Sequence, residues 1–322
     1  MHLRSLQSIL LTGGAGFIGS TLARVLLARE DVEKIIILDK LTYAGNPDNL
    51  SEIQQLPHIH FIKGDILDEN LVSQILTDHA CTGIFNLAAE SHVDRSISDP
   101  SHFFSTNILG TANIAEIARK LGIPLLQCST DEVYGSIEAP LQLDESANLA
   151  PSSPYSASKS SADLILQAAH TTHGQDIVIA RCTNNYGPRQ HQEKLIPALI
   201  YNALRDQPLP IYGSGTQVRD WIHVNDCAHG LIDIFEKGRS GSIYHLGANN
   251  EFTNLEIAHL ILKKMRKPTS LITHVADRLG HDTRYALNTD RAKDELGWEA
   301  KINFHEEIDN VIAELSSSLQ DI

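Results

Sequence analysis

Tyr155 and Lys159 lie four residues apart at the start of a predicted helix, Tyr155–Thr172. This spacing places both side chains on one face of the helix. An ammonium group beside a phenol stabilises the phenolate and lowers the pKa of the tyrosine, so Tyr155 could take a proton near neutral pH. Such a pair is common by chance. It predicts proton removal from a hydroxyl only if a hydride acceptor binds nearby.

Asp131 and Glu132 follow a predicted buried strand that ends at Cys128. Adjacent carboxylates at such a point usually belong to a solvated loop or a helix cap. They have a chemical use beside a hexose oxidised at C4, because the ketone makes the C5 proton acidic. One carboxylate could take that proton while the other, held protonated, gives a proton to the departing C6 hydroxyl. This division requires a site that separates the two pKa values.

The glycine-rich segment Gly13–Gly19 is the candidate site for the hydride acceptor. It lies between a predicted strand and a predicted helix, where glycines allow a tight turn and close approach of backbone N–H groups to a pyrophosphate. Asp39 ends the next strand, about 20 residues on, where dinucleotide sites bind the adenosine ribose. Its carboxylate would repel a 2′-phosphate, which favours NAD over NADP. The adjacent Lys40 weakens that inference, and Asp39 could instead cap a turn.

Short β-branched runs alternate with helical segments through the first half of the chain. Strict alternation predicts an α/β fold, a doubly wound parallel (Rossmann) sheet with helices on both faces. Ligands then bind beyond the carboxyl ends of the strands, which is where the segments described above lie. The predicted strands are Ile9–Leu11, Ile35–Leu38, His60–Lys63, Gly83–Asn86, Pro124–Cys128 and Ile177–Arg181, and the helices between them are Gly19–Leu27, Leu71–Leu76, Asn107–Leu121 and Tyr155–Thr172.

A smaller second α/β region is expected after about Tyr186, where the alternation stops and prolines interrupt the chain. We predict that residues 1–183 form the dinucleotide-binding domain and that roughly 217–248 return to it through a strand at Ser242–Leu246. Residues 184–216 and 249–322 would form the smaller domain. Its predicted helices are Leu195–Arg205, Asn254–Lys264 and Phe304–Ser317.

The charge and composition of the chain exclude several classes of partner. It has 26 Lys and Arg against 40 Asp and Glu, a formal net charge of −14, whereas nucleic-acid binding needs a basic face. No segment approaches the ~20 apolar residues that span a bilayer, and no signal-peptide layout is present. The four cysteines are far apart in sequence, which favours buried reduced thiols in a cytoplasmic protein. The histidines lack acidic or thiol partners in a metal-like pattern, so no metal site is expected.

These motifs together resemble the extended short-chain dehydrogenase/reductase family over almost the whole chain. Within it, Ser129–Gly135 is similar to the corresponding segment of the dTDP-glucose 4,6-dehydratases. That resemblance implies that hydride leaves C4 of the sugar and returns at C6, with NAD bound throughout. It also makes Asp131 the acid and Glu132 the base, and it makes Thr130 a hydrogen-bond partner of the C4 oxygen.

The resemblance also implies which residues bind the cofactor. Besides the glycine segment, it points to the ends of the next two strands, to Leu87–Ser96, and to Thr106, Asn107 and Asn184–Pro188. The cofactor set is Gly13, Gly16, Phe17, Ile18, Gly19, Asp39, Lys40, Thr42, Asp65, Ile66, Leu87, Ala88, Ala89, Ser91, Thr106, Tyr155, Lys159 and Asn185.

Further stretches resemble the walls that bind the nucleotide of the substrate. The resemblance places Arg219 and Arg278 at the diphosphate, a task that suits arginine because its guanidinium matches phosphate oxygens. The smaller domain would then bind the nucleotide sugar. The substrate set is Ser91, Thr130, Asn184, Lys194, Leu195, Pro210, Ile211, Tyr212, Arg219, Asn254, Asp277, Arg278 and His281.

Two residues depart from the pattern of that group. Gln192 and Leu279 stand where it usually has proline, and both lie near the nucleotide end. The base therefore stays open between dTDP and UDP, and a modified hexose is a further alternative. A 4-epimerase or a UDP-glucuronate decarboxylase would use the same scaffold, whereas a non-catalytic NAD-binding sensor would lack the Tyr–Lys pair.

Two further expectations come from the family. It suggests a homodimer formed by paired helices, Asn107–Lys120 and Tyr155–Thr172, although the sheet could equally cover their apolar faces. A 4-keto-6-deoxy sugar is an intermediate in the biosynthesis of rhamnose and many other deoxysugars, and the sequence does not choose among them.

Overall fold

The computed structural model describes residues 3–317, which form twelve strands and eleven α-helices. The strands are β1 (Ser8–Thr12), β2 (Lys34–Asp39), β3 (Ile59–Lys63), β4 (Gly83–Asn86), β5 (Leu125–Thr130), β6 (Ile177–Cys182), β7 (Asn184–Tyr186), β8 (Leu209–Tyr212), β9 (Val218–His223), β10 (Ile243–Leu246), β11 (Glu251–Thr253) and β12 (Ile272–Val275). The helices are α1 (Phe17–Leu27), α2 (Glu69–Asp78), α3 (Val93–Ser98), α4 (Ser101–Phe103), α5 (Thr111–Leu121), α6 (Pro154–His173), α7 (Leu195–Leu204), α8 (Val224–Lys237), α9 (Asn254–Lys264), α10 (Asp290–Leu296) and α11 (Phe304–Ser317).

Seven of the strands form one sheet in the order β10-β6-β5-β4-β1-β2-β3, and every neighbouring pair is parallel. The strand order reverses between β1 and β4, so the loops after these two strands diverge to opposite sides. In open parallel sheets this switch point forms the crevice that binds ligands. The predicted α/β, doubly wound parallel sheet is therefore confirmed.

Alternate residues of the strands supply two separate cores, one on each face of the sheet. Leu11 packs with side chains of α1 and α8 on one face, whereas Leu10 packs with side chains of α2, α5 and α6 on the other. Because both faces are covered, the strands read as continuous apolar runs. This layering fixes the strand ends that carry the site.

A third core lies under two small sheets formed mainly by the later part of the chain. β7, β9 and β11 make a three-stranded sheet, and β8 pairs with β12. Helices α7, α9 and α11 pack against them around Tyr186, Trp221 and Phe304. The chain returns to the large sheet through α8 and β10, whereas β9 stays in the small one. The domain boundaries at residues 183, 217 and 248 stay a prediction, and residues 318–322 of that prediction lie outside the described residues.

The predicted strands of the first half are all present, and no end is shifted by more than two residues. The predicted helix Asn107–Leu121 was wrong at its start, because residues Phe104–Gly110 form a π-helix that leads into α5. Helix α8 was not predicted, although Val224, Cys227, Ala228 and Leu231 carry helical spacing and are fully buried. Within residues 3–317, no helix is long and apolar enough to cross a membrane.

Candidate active site

The glycine segment forms the turn between β1 and α1, at the switch point of the sheet. Gly13 has a positive φ of 67°, and a Cβ there would lie 2.7 Å from the backbone nitrogen of Ala88. A Cβ on Gly19 would collide with the carbonyl oxygen of Gly13. Gly16 precedes α1 and has no side chain to cap it, so the first N–H groups of the helix face the cleft without a side-chain partner. This cradle fits a pyrophosphate.

Asp39 is buried at the end of β2 and holds the turn as well as facing the cleft. Its two carboxylate oxygens accept from the backbone N–H groups of Ala15 and Leu41, at 2.9 and 2.8 Å. Each oxygen retains a further acceptor site that could serve a ribose hydroxyl. Burial raises the pKa of Asp39, and the two N–H groups oppose that shift. The neighbouring Lys40 is engaged with Asp65 at 2.7 Å.

One cleft runs along the carboxyl ends of the strands from this turn to the catalytic candidates. All eighteen predicted cofactor residues line it, together with Thr130, Asp131, Glu132 and the predicted substrate residues Asn184 and Lys194. Several lining residues were not predicted, namely Leu38, Ala44, Gly45, Cys128, Ser129, Cys182, Thr183, Gln190 and His191, whereas Glu90 lies in the predicted stretch Leu87–Ser96. Most of these adjoin predicted residues, so position beside a strand end was the signal that could have found them.

The π-helix fixes the wall of this cleft after β4. The Asn107 side chain accepts from the backbone N–H of Glu90 at 2.9 Å and donates to its carbonyl at 3.0 Å. The same amide nitrogen donates to the Ser158 hydroxyl of α6 at 2.9 Å. Thr106, the preceding residue, lines the cleft. A π-helical segment therefore joins the cofactor wall to the helix that carries Tyr155 and Lys159.

Tyr155 and Lys159 are both buried on α6, 8% and 3% exposed. The expected lowering of the tyrosine pKa is not found: burial raises the pKa of Tyr155 well above its ordinary value, and the charge of Glu132 adds to the shift. The Lys159 ammonium donates to the carbonyl of Cys128 at 2.7 Å, and burial lowers its own pKa. The Thr130 hydroxyl opposes the shift of Tyr155 by hydrogen bonding.

Asp131 and Glu132 lie in a 3₁₀ turn, Asp131–Tyr134, that directly follows β5. The cap of this turn is Thr130, whose hydroxyl accepts from the Glu132 N–H at 3.3 Å and donates to Asp131 Oδ1 at 3.1 Å. Asp131 is 2% exposed, and its Oδ2 has no hydrogen-bond partner within residues 3–317. The carboxylates are therefore free for chemistry and do not serve as the cap.

Burial raises the pKa of both carboxyl groups, and the charges around them differ. At Asp131 the negative charges of Glu132 and Asp220 add to the rise, and the charge of Arg219 and the hydrogen bond from Thr130 oppose it. At Glu132 three cations oppose the rise, Arg219, Lys194 and Arg278. This arrangement favours a protonated Asp131 beside an ionised Glu132, which is the division that an acid and a base require.

The three cations are themselves anchored beside the cleft. Lys194 Nζ donates to the carbonyl of Ser91 at 2.9 Å. Arg219 donates to the backbone carbonyl of Asp282 at 3.0 Å, and its guanidinium lies 4.1 Å above the ring of Tyr285. Arg219 reaches the site from β9 in the three-stranded sheet, and Lys194 reaches it from the position just before α7.

Arg278 is held by Asp94 of α3, which accepts two bonds from its guanidinium at 2.6 and 2.9 Å. Tyr212 also donates to Asp94, at 3.2 Å, and Arg278 lies 5.2 Å above the tyrosine ring. His281 bonds Asp277 at 2.7 Å in the same loop. Neither Asp94 nor Tyr285 was named as a site residue. Asp94 lies in the stretch Leu87–Ser96 that the resemblance pointed to, and no such signal marked Tyr285.

Nine predicted substrate residues do not line the cleft itself: Leu195, Pro210, Ile211, Tyr212, Arg219, Asn254, Asp277, Arg278 and His281. Most lie around its outer end. Ile211 packs in the third core and is 1% exposed, so its side chain faces away from any ligand. Asn254 begins α9, directly after the capping residue Thr253.

Three of the four cysteines meet beside the cleft, although they are far apart in sequence. The sulfur atoms of Cys182 and Cys227 lie 3.6 Å apart, and Cys128 lies beside Cys182. All four are free thiols. Parallel pairing of β5 with β6 brings Cys128 near Cys182, and the packing of α8 on the sheet adds Cys227, which spacing in the sequence could not show.

Comparison with known proteins gives consistent matches over nearly the whole chain. A family described as "GDP-mannose 4,6 dehydratase" matches residues 10–311. A dTDP-glucose 4,6-dehydratase of Streptomyces niveus is 44% identical over 302 residues, covering 92% of this chain and 89% of that protein. The enzyme of the same name from Salmonella typhimurium is 42% identical over 319 residues, covering 91% and 88%.

Solved structures show the same relation. DesIV, a dTDP-glucose 4,6-dehydratase from Streptomyces venezuelae solved with NAD bound, matches with a TM-score of 0.95 and 42% identity, covering 97% of this chain and 98% of that one. A UDP-glucose 4-epimerase from Thermotoga maritima matches with a TM-score of 0.90 and 27% identity, covering 97% and 99%. Because an epimerase shares the backbone so closely, the reaction has to be argued from the side chains in the cleft.

Proposed function

This chain belongs to the nucleotide-sugar 4,6-dehydratase family, and from that membership we propose that it is an NAD-dependent hydro-lyase that converts dTDP-glucose to dTDP-4-keto-6-deoxyglucose. The observation that carries the proposal is the pair Asp131 and Glu132, which face the same cleft as Tyr155 and Lys159 in different electrostatic surroundings. The similarity to enzymes named for this reaction supports the substrate.

The residues at the switch point fit NAD. Gly13, Gly16 and Gly19 leave room for the pyrophosphate at the start of α1, and Asp39 lies where the adenosine ribose would bind. NAD, when bound, accepts a hydride from C4 of the sugar and returns it to C6. The remaining predicted cofactor residues line the same cleft and would enclose the dinucleotide.

Tyr155 takes the proton of the C4 hydroxyl in the first step. It has to act as the phenolate and becomes the phenol in this step. Because burial raises the pKa of Tyr155, that phenolate depends on hydrogen bonds and positive charge in the cleft. The Thr130 hydroxyl lies beside Tyr155 and can donate to that oxygen or to the C4 oxygen. Lys159 supplies positive charge from one turn along α6.

Glu132 and Asp131 then remove water across C5 and C6. Glu132, where three cations oppose the rise in pKa that burial causes, takes the C5 proton that the C4 ketone has made acidic. Asp131, kept protonated by burial, gives its proton to the C6 hydroxyl, which leaves as water. The two groups exchange their charge states in this step, which balances the proton transfer.

The nucleotide is proposed to bind at the outer end of the cleft. Lys194, Arg219 and Arg278 concentrate positive charge there in a chain whose net charge is −14, and a diphosphate would neutralise it. Residues 184–216 and 249–322 contribute two of these three side chains and are proposed as the nucleotide-sugar domain.

A panel of nucleotide sugars tests the proposal. The purified protein is incubated with dTDP-glucose, UDP-glucose, CDP-glucose, GDP-glucose and GDP-mannose, the last because of the description of the matched family. We expect fastest turnover with dTDP-glucose and a 4-keto-6-deoxy product that absorbs strongly in alkali. Tyr155→Phe should abolish the product, whereas Tyr201→Phe on α7 should not. A product that retains its C6 hydroxyl would instead identify an epimerase.

We also propose a homodimer, a cytoplasmic location and a role in deoxysugar biosynthesis such as that of rhamnose. The dimer is supported by apolar side chains that stay exposed on the π-helix and α6, Leu109 at 60% and Leu164 at 55%. The location and role are supported by the reaction itself, whose product is a 4-keto-6-deoxy sugar.

A further inference from the structure

Behind the catalytic turn lies a chain of buried polar side chains that the proposed chemistry does not use. Arg181 on β6 is 1% exposed, and its Nε donates to Asp163 Oδ2 of α6 at 2.9 Å. Its Nη1 donates to the Tyr134 hydroxyl at 2.5 Å. That hydroxyl also lies 2.7 Å from Nε2 of His245 on β10. We call Tyr134, Arg181, Asp163 and His245 the buried network.

Each hydrogen bond of the buried network has one permitted direction. His245 Nδ1 lies 2.9 Å from the backbone carbonyl of Asn288, so this nitrogen carries the ring proton. Burial lowers the pKa of His245 to about 3, which keeps the ring neutral and makes Nε2 an acceptor. A guanidinium only donates, so the Tyr134 oxygen accepts from Arg181 and gives its own proton to His245. The position of the hydroxyl is therefore determined by two partners.

The buried network connects the two halves of the active site. Tyr134 ends the 3₁₀ turn that begins with Asp131 and Glu132. Asp163 lies on α6 one turn beyond Lys159 and two turns beyond Tyr155, on the same side of the helix. The charge of Asp163 also opposes the lowering of the Lys159 pKa that burial causes. Arg181 joins these two elements from the strand between them.

Backbone hydrogen bonds at the catalytic turn run from the Gly135 N–H to the Glu132 carbonyl at 3.2 Å and from the Ala150 N–H to the Val133 carbonyl at 3.0 Å. The cap of this turn is one hydrogen bond of 3.3 Å from the Glu132 N–H to Thr130, and the turn ends at Gly135, which has a positive φ of 69°. Elimination needs Glu132 at C5 and Asp131 at C6 while Tyr155 keeps contact with the C4 oxygen. A displacement of about 1 Å between such groups costs about 100-fold in rate.

We propose that Tyr134 and Arg181 are positioning residues that fix the Asp131–Glu132 turn against the helix that carries Tyr155 and Lys159. This inference rests on the proposed dehydration. Loss of the Tyr134 hydroxyl leaves α6 and its pair in place, because Arg181 still bonds Asp163. The oxidation at C4 should survive while the elimination slows, so the two steps become separable.

The test compares Tyr134→Phe with Tyr244→Phe. Tyr244 is a matched control because it is equally buried, lies on β10 beside β6, and has a hydroxyl with two partners, the N–H of Arg239 at 2.9 Å and Glu295 at 2.8 Å. Both variants should lower the melting temperature. Only Tyr134→Phe should slow product formation, by about 10- to 100-fold. It should also slow exchange of the C5 proton with deuterated solvent and let NADH accumulate during turnover.

A second pair of variants, at His245, tests the buried network even if Tyr134→Phe folds poorly. His245→Gln retains an acceptor for the Tyr134 hydroxyl, whereas His245→Leu removes it. We expect His245→Gln to keep the wild-type ratio of C5 exchange to C4 oxidation and His245→Leu to lower it. If the ratio is unchanged in both Tyr134→Phe and His245→Leu, the buried network stabilises the fold but does not position the catalytic turn, and the proposal is wrong. Failure of the wild-type protein to form a 4-keto-6-deoxy product would instead overturn the dehydration, and the inference with it.

Discussion

Adjacent carboxylates acquire different charge states when the cations around them are unevenly distributed. Burial raises the pKa of Glu132, and Lys194 and Arg278 join Arg219 in opposing that rise, whereas Arg219 is the main cation that opposes the rise at Asp131. Asp131 is instead raised further by the charges of Glu132 and Asp220. Residue type and spacing predicted a pair that could divide the roles of acid and base. The cations come from distant parts of the chain, so the direction of the division needed the fold.

Substitution of each carboxylate should separate the steps of the reaction. Asp131→Asn removes the proton for the C6 hydroxyl, so turnover should fall by about 10²- to 10⁴-fold while C4 oxidation persists and NADH accumulates. Glu132→Gln should also abolish C5 proton exchange with solvent. Rapid-mixing absorbance and mass spectrometry of the product measure both effects. Glu138→Gln, an exposed carboxyl group after the same turn, is the control, and unchanged turnover in both active-site variants would refute the assignment.

The raised pKa of Asp131 also predicts a pH-dependent cost in stability. A carboxyl group whose pKa is raised by folding stabilises the folded state at low pH, and that contribution is lost as the pH rises through the folded value. Each unit of elevation is worth about 1.4 kcal/mol. Asp131→Asn should therefore raise the melting temperature at neutral pH, and the gain should vanish below the ordinary pKa of 3.8. The measurement is a series of thermal unfolding curves between about pH 3 and pH 8.

Asp144→Asn provides a control of opposite sign. Hydrogen bonds from Ser146 lower the pKa of Asp144, so its carboxylate stabilises the folded state above the unfolded pKa. This variant should gain no stability at neutral pH. An Asp131→Asn protein that is less stable than wild type at every pH would contradict the assignment of a strained, protonated carboxyl.

At the scale of elements, hydrophobic periodicity predicted the alternating strands and helices of the first half. It missed the elements that depend on contacts with distant parts of the chain. The alternating strands and helices of residues 1–183 were predictable because every strand of the sheet in that range except the edge strand β3 is buried on both faces. The short strands β7, β9 and β11 were not, because three to six residues among prolines and glycines carry no clear period. The π-helix was missed because its amide contacts, from Asn107 to Glu90 and Ser158, are made across the fold.

The turn between β1 and α1 gives a prediction that separates backbone strain from cofactor binding. Gly13→Ala and Gly174→Ala both place a Cβ at positive φ, 67° and 64°, which costs about 1–2 kcal/mol in either case. Only at Gly13 does the Cβ meet another backbone, that of Ala88, since Gly174 has open space around it. Gly13→Ala should therefore lose bound NAD as well, measured from the nucleotide released on denaturation. Equal NAD content in the two variants would refute the pyrophosphate site.

At the scale of the whole molecule, the active site depends on three cores meeting at one cleft. The large sheet positions the cofactor turn, the Tyr–Lys helix and the carboxylates, and the small sheets bring Arg219 to the same place. The sequence located the glycine turn, Asp39 and the two carboxylates because each lies at or directly after the end of a strand of the large sheet, and it located Tyr155 and Lys159 by their helical spacing. It could not place Asp94 opposite Arg278, a bond between residues 184 positions apart.

The exposed apolar residues of the π-helix and α6 make the last prediction, that the protein is a homodimer through this face. Leu109 and Leu164 lie on segments joined by the Asn107–Ser158 bond, and neither is covered by the protein's own cores. Leu109→Glu combined with Leu164→Glu would place two charges per chain in a buried interface, which costs several kcal/mol and should yield a monomer. Light scattering of the eluted protein measures the mass. Leu141→Glu, at 56% exposure on a loop outside these helices, is the control and should remain a dimer.

The same double variant tests whether the dimer supports the active site. Because α6 also carries Tyr155 and Lys159, we expect the monomer to have lower activity than the dimer. A fully active monomer would show that the dimer does not support the site.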